Sequence, residues 1–169
     1  MFKKILVASA FVLSVTSTAF AAPVKEGVTA PGFTLPALKN VDSGSKLSLE
    51  NYLGEVVYID FWASWCGPCR QSLPVLNELR AKYHEKGFEV LAVNIDEDVS
   101  DAEGFLKQYP VTYPILSDPE SSLPGVYQPP GMPTAYLVDK KGVVRYVHEG
   151  FNKGDEKEIE EHIQALLAE

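Results

Sequence analysis

The chain's only two cysteines stand two residues apart in Trp65-Cys66-Gly67-Pro68-Cys69. A thiol lowered in pKa, with a second thiol one helical turn away, is the equipment for thiol–disulfide exchange: the first attacks, the second resolves. The flanking sequence supplies the means of lowering it. Val56-Val57-Tyr58-Ile59-Asp60-Phe61 is apolar and β-branched, as a buried strand requires, and Leu73, Leu76 and Tyr83 recur at helical spacing after the pair. The cysteines therefore fall at a strand-to-helix turn. Cys66 is expected at or just before the helix start, where unpaired N–H groups and the positive end of the helix dipole favour a thiolate. Pro68 suits the first helical turn, because its missing N–H has no partner to lose there.

Two plainer uses of the pair weigh less. A structural disulfide rarely joins residues so close in sequence, because a short loop restrains the unfolded chain little. A zinc site needs four ligands, and His84, His148 and His162 lack the HxxxH-type spacing that would complete one.

The elements that must hold this turn are legible along the chain. Phe33-Thr34-Leu35 and Lys46-Leu47-Ser48-Leu49 alternate apolar and polar around the turn formers Asn40-Val41-Asp42-Ser43-Gly44, which predicts an N-terminal β-hairpin. The helix after Cys69 is expected to reach about Lys86, to be kinked by Pro74 and to end at Gly87. A second buried strand spans 88–95. Ser100-Asp101-Ala102-Glu103 has a capping-box pattern for a further helix ending near Pro110. Residues 113–116 suggest a short strand, and 123–127 one helical turn. Strands at 134–138 and 143–147 flank Asp139-Lys140-Lys141-Gly142, and Asp155 caps a last helix with apolar face Ile159, Ile163, Leu166 and Leu167. Strand–helix alternation followed by a hairpin and helix predicts an α/β fold: a mixed central sheet with helices on both faces.

Met1-Phe2-Lys3-Lys4, the apolar run from Ile5 to Val15 and Ala19-Phe20-Ala21 read as a secretory signal peptide, so residues 1–21 are expected to be removed and 22–169 to form a single domain. An uncleaved membrane anchor is the rival, although the apolar run is short for a span. Loss of Lys3 and Lys4 takes the formal charge from −8 to −10, which argues against nucleic acid or an anionic membrane as partner.

The segment 56–69 closely resembles the active-site segment of thioredoxin. The whole exported domain resembles the TlpA/ResA type of thioredoxin-like thiol–disulfide oxidoreductases, which includes the cytochrome c maturation reductases. The likeness is carried by Ala30-Pro31-Gly32-Phe33-Thr34-Leu35, by Phe61-Trp62-Ala63-Ser64-Trp65-Cys66-Gly67-Pro68-Cys69-Arg70, by Val93-Asn94 and by Gly131-Met132-Pro133-Thr134. The lead-in is shared with peroxiredoxins. The position of Asp60 is often Asn in the TlpA/ResA type, whereas Asp is the thioredoxin choice. The resemblance implies a thioredoxin-like fold with an N-terminal β-hairpin extension and an insert before the strand that follows Pro133. It also implies a cis Met132–Pro133 bond opposite the cysteines. From the residues alone, an ordinary trans proline in Pro129-Pro130-Gly131-Met132-Pro133 stands equally well. A cis bond would turn the backbone of Gly131 and Met132 outward to pair with an extended substrate segment.

Two carboxylates are candidates for the proton transfers. Asp60, among Ile59, Phe61 and Trp62, is expected to lose solvation and rise in pKa, making it a base for Cys69; a wet strand end with no catalytic part is the alternative. Glu97 matches an acidic residue that the ResA type places near the cysteines, and a solvated acidic loop with Asp96 and Asp98 is the alternative. Trp62 and Trp65 are expected to shape the surface beside the thiols, with a simple core position as the alternative for Trp62, and Arg70 is assigned no role. The expected activity is reduction of disulfides in exported proteins in the periplasm, by Cys66 attack and Cys69 resolution. The expected form is a monomer recharged by a membrane electron donor. No flavin, nicotinamide or metal motif occurs, so the dithiol is the only redox group expected. A disulfide-forming oxidase, a peroxiredoxin-like peroxidase and a non-enzymatic binding module are the alternatives.

Overall fold

The strand that leads to the cysteines is the middle of the molecule. In the computed structural model, which describes residues 22–42 and 44–169, β3 (Val56–Trp62) is buried along its whole length. The expected signal peptide lies outside the described residues, as does Ser43 of the first turn. Strand β3 pairs in parallel with β4 (Phe88–Asn94), and antiparallel with β6 (Thr134–Val138) on its other side. A strand with a partner on each edge and covered faces can be apolar throughout, which is how residues 56–62 and 88–94 read.

The sheet continues outward through β5 (Ile115–Ser117), β1 (Thr34–Lys39) and β2 (Lys46–Ser48) on one side, and β7 (Val144–Glu149) on the other. The order is β2-β1-β5-β4-β3-β6-β7. The expected N-terminal hairpin is thus β1–β2, and it joins the main sheet by antiparallel pairing of β1 with β5. Asn40 fastens this joint. Its backbone is left-handed at φ 61°, and its side-chain amide donates at 2.8 Å to the carbonyls of both Val111 and Tyr113.

The helices divide unequally. Helices α1 (Cys69–Tyr83), α2 (Val99–Gln108) and α4 (Asp155–Leu167) share one core with Tyr58, Trp62 and both cysteines. The short α3 (Ser122–Tyr127) and the lead-in residues Ala30, Phe33 and Leu35 cover the other face, against Val57, Ile59 and Phe61. Helix α2, strand β5 and helix α3 lie in sequence between β4 and β6. Helix α1 runs unbroken through Pro74, continues as a 3-10 turn over His84–Lys86 and ends at Gly87, whose φ of 93° suits glycine.

Two caps differ from expectation. Helix α2 is capped by Asp98, which accepts from the Ser100 N–H at 2.8 Å, because Val99 and Ser100 are already helical. Helix α4 starts after Gly154, so Asp155 is its first residue; its carboxylate reaches back to the Asn152 N–H at 2.7 Å.

Candidate active site

Three loops meet the sheet where β3 and β4 end and β6 begins, and register sets them side by side. Trp62, the last residue of β3, pairs with Asn94, the last of β4, and Phe61 pairs with Thr134, the first of β6. The cysteine turn, the 95–98 loop and the Pro133 loop are therefore neighbours.

Cys66 and Cys69 are joined as a disulfide, with Cα atoms 5.4 Å apart. Cys66 N–H donates to the Ala63 carbonyl at 3.1 Å, closing a turn, and Pro68 sits in the cap position with αR geometry rather than inside the first turn. The Cys69 N–H, the first of α1, points at Cys66 Sγ at 3.3 Å. That donor and the helix end behind it stabilise negative charge on Cys66 once the disulfide opens. Cys66 keeps 3% of its surface and Cys69 none, so the sulfur open to a partner is Cys66. Trp65 beside it is 65% exposed, an unusual position for indole. Trp62 is wholly buried, packing on Phe105 at 5.3 Å between ring centroids, and so belongs to the core rather than to the surface beside the thiols.

The Met132–Pro133 bond is cis. Pro133 is buried and Met132 half-buried, packing where the two cores meet. The loop is tied by Thr134 Oγ1 to the Gly131 carbonyl at 2.8 Å and by Gly150 N–H to the Pro133 carbonyl at 2.8 Å.

Asp60 lies on the cysteine side of β3, between Tyr58 and Trp62. Its strand neighbours in register are Ala92 and Ala135, which offer no side-chain donor. It is 1% exposed, and its Oδ2 has no hydrogen-bond partner among the described residues; neither has Trp62 Nε1 two residues on. Burial pushes the Asp60 carboxyl up to about 8. This burial excludes a wet strand end for Asp60. Tyr58 and Tyr113, buried nearby, are raised well above the usual phenol value by burial and then by the Asp60 charge.

Glu97 is exposed on the 95–98 loop. Its neighbour Asp96 is the buried one, at 3% exposure, and holds the cysteine turn through Ser64. Sequence reasoning passed over Asp96 because three consecutive acids look alike. The signal available was Asn94 two residues earlier, at the end of an otherwise apolar strand.

Comparison with known proteins agrees with this architecture. Residues 25–163 match the Redoxin family model. The chain is similar to the thiol-disulfide oxidoreductase ResA of Geobacillus kaustophilus, with 35% identity over 143 residues covering 85% of this chain and 79% of the relative. It is also similar to the thioredoxin-like protein YneN of Bacillus subtilis, at 37% identity over 75% of this chain and 73% of the other. Among solved structures, a Chlorobium tepidum protein named as a candidate thiol:disulfide interchange protein DsbE superposes with a TM-score of 0.80. It is 44% identical, and the match covers 85% of this chain and 99% of that one.

Proposed function

Because this chain belongs to the Redoxin family and is a thioredoxin-like thiol–disulfide oxidoreductase of the TlpA/ResA type, we propose that it acts in the periplasm as a reductase of disulfides in exported proteins. Cytochrome c maturation is the setting that the family resemblance suggests. The observation that carries the reading is the Cys66–Cys69 disulfide at the start of α1, with Cys66 outermost and the Cys69 N–H on its sulfur.

In the reaction, Cys66 thiolate attacks one sulfur of the substrate disulfide. A mixed disulfide forms and one substrate thiolate leaves. Cys69 then loses its proton and attacks Cys66 Sγ, so the second substrate thiol departs and the enzyme carries the new disulfide. Two electrons have passed to the substrate. Asp60 is the acceptor for the Cys69 proton: it shares the buried face with Cys69, and a carboxyl near 8 can take and return a proton close to neutral pH, which an ordinary Asp cannot. Exposed Trp65 and the Gly131–Met132 backbone are the surfaces offered to the substrate segment. The domain works as a monomer and is recharged by a membrane-borne dithiol donor, since an oxidising compartment supplies no soluble one.

Measuring the equilibrium with glutathione or dithiothreitol tests the direction. A potential near that of thioredoxin, about −270 mV, is expected; one near that of DsbA, about −120 mV, would replace the reductase by an oxidase. A chain in which both cysteines can be serine without loss of function would be a binding module instead.

A further inference from the structure

Asp96 is a buried carboxylate in an unusual setting. Its Oδ2 accepts from Ser64 N–H at 2.9 Å and from Asn94 Nδ2 at 2.8 Å. Its Oδ1 accepts from Ser64 Oγ at 3.0 Å and from the same Ser64 N–H at 3.2 Å. Its own N–H donates to Asn94 Oδ1 at 3.2 Å. Among the described residues no lysine, arginine or histidine pairs with it. Burying a charge without a cation is expensive, and only a full set of donors offsets it. Every side-chain contact here is a donor, and a carboxylate is an acceptor at both oxygens, so an amide at this position would face at least one donor with another donor.

What these bonds hold is the turn that carries the outer cysteine. Ser64 lies inside the turn closed by Cys66 N–H on the Ala63 carbonyl. Asn94 ends β4 opposite Trp62, which ends β3, and Ile95 N–H donates to the Trp62 carbonyl at 3.1 Å. Asp96 thus joins the two parallel strands where they run out and fixes the chain two residues before Cys66.

In the oxidised protein the disulfide itself keeps Cys66 Sγ beside the Cys69 N–H. After reduction that covalent tie is gone, and the distance depends on the turn alone. We propose that Asp96 is a positioning residue that, through Ser64, keeps reduced Cys66 at the N-terminus of α1 and so preserves its reactivity as a thiolate. The proposal rests on Cys66 as the attacking thiol, and not on the direction of electron flow or the identity of the substrate.

Position and charge predict opposite results, which makes the idea testable. The full exported chain carrying Cys69→Ala leaves Cys66 as its one thiol while keeping the Cys69-position N–H. Its alkylation rate with iodoacetamide is followed against pH, with thermal melting of each protein alongside. If Asp96 positions the turn, Asp96→Asn raises the apparent pKa of Cys66 by about one unit and slows alkylation at pH 7 by up to about tenfold. Ser64→Ala, which removes one donor and strands no buried charge, shifts the profile the same way, slowing alkylation about two- to threefold at pH 7. A lowered pKa in Asp96→Asn would mean that the Asp96 charge opposes the thiolate and would overturn the proposal. An unchanged profile in both variants, even with lower melting points, would overturn it by leaving Asp96 a purely structural residue. If Asp96→Asn does not fold, the Ser64→Ala profile decides alone. Loss of insulin reduction in Cys66→Ser is the separate check on the attacking thiol.

Discussion

The two faces of β3 differ in how they treat polar groups. On one face, Val57, Ile59 and Phe61 pack with Tyr127 and Tyr136, and both phenols are satisfied: Tyr127 donates to the Pro31 carbonyl at 2.7 Å and Tyr136 to the Tyr127 carbonyl at 3.3 Å. On the other, Tyr58, Asp60 and Trp62 sit with the cysteines, and two buried polar atoms, Asp60 Oδ2 and Trp62 Nε1, lack partners among the described residues. The first face obeys the ordinary rule for interiors. The second breaks it beside the disulfide, and a carboxylate raised in pKa is the consequence. One strand thus combines a face whose buried polar groups are satisfied with a face that buries an unpaired carboxylate, the group to which the proposed reaction assigns the proton transfer.

The comparison breaks most completely at the thiol. Cys66→Ser should abolish insulin reduction with dithiothreitol as electron source while leaving the melting temperature of the reduced protein close to that of the parent. Retained turnover would remove Cys66 as nucleophile.

Next in size are two adjacent residues that face opposite ways. Asp60→Asn should slow resolution of the mixed disulfide by about a hundredfold or more, the lower end of the range of a general base, so that the mixed disulfide accumulates on a quench gel. Phe61→Ala, one residue on, should cost about 3–5 kcal/mol in denaturant unfolding, yet leave resolution per folded molecule unchanged. Its ring centroid lies 5.5 Å from that of Tyr127 and 5.9 Å from that of Tyr136, in the core on the other side of the sheet from the cysteines. Equal effects of the two variants on resolution would dissolve the distinction between the faces.

The pH dependence sharpens the same contrast. Asp60 rises from 3.8 to about 8 on folding. Between those values the folded protein holds a proton that the unfolded chain has lost, so stability falls as pH rises from about 4 to about 8. Asp60→Asn removes that slope. The variant should match the parent near pH 4 and exceed it near pH 8 by on the order of a few kcal/mol. The resolution rate of the parent should climb through pH 8 as Asp60 ionises, and that of the variant should not show this rise. A parent whose stability is flat over this range would show that Asp60 titrates normally.

Smaller effects complete the series. Tyr127→Phe removes a satisfied hydrogen bond on the quiet face and should cost about 1 kcal/mol with unchanged turnover. Glu97→Gln should change resolution less than about twofold, because Glu97 is exposed on the 95–98 loop and does not share the buried face of Cys69; a larger loss would return Glu97 to the proton path.

Much of this protein is local and was legible without coordinates. The apolar run 56–61, the CxxC spacing, Pro68 and the helical spacing of Leu73 and Leu76 determine a strand-to-helix turn bearing two thiols, because strand period, helix period and turn chemistry are properties of neighbouring residues. The cis Met132–Pro133 bond came from resemblance, not from the residues, which left both isomers open. Helix caps were read one or two residues off: Ser100 and Asp155 looked like caps, and Asp98 and Gly154 hold those positions, since each acid or serine in a polar stretch offers a similar local bond.

What only the tertiary structure decided is the fate of residues with identical local credentials. Asp96, Glu97 and Asp98 are consecutive acids, yet one is buried against Ser64, one is exposed and one caps α2. Asn40 reads as a turn former and in the fold also bridges to residues more than seventy positions away. Strand alternation sets Asp60 on the opposite side from Phe61, but which side carries the cysteines depends on where α1 and α4 pack. Burial and long-range hydrogen bonding are set by chain segments that meet only after folding, so no window of sequence contains them.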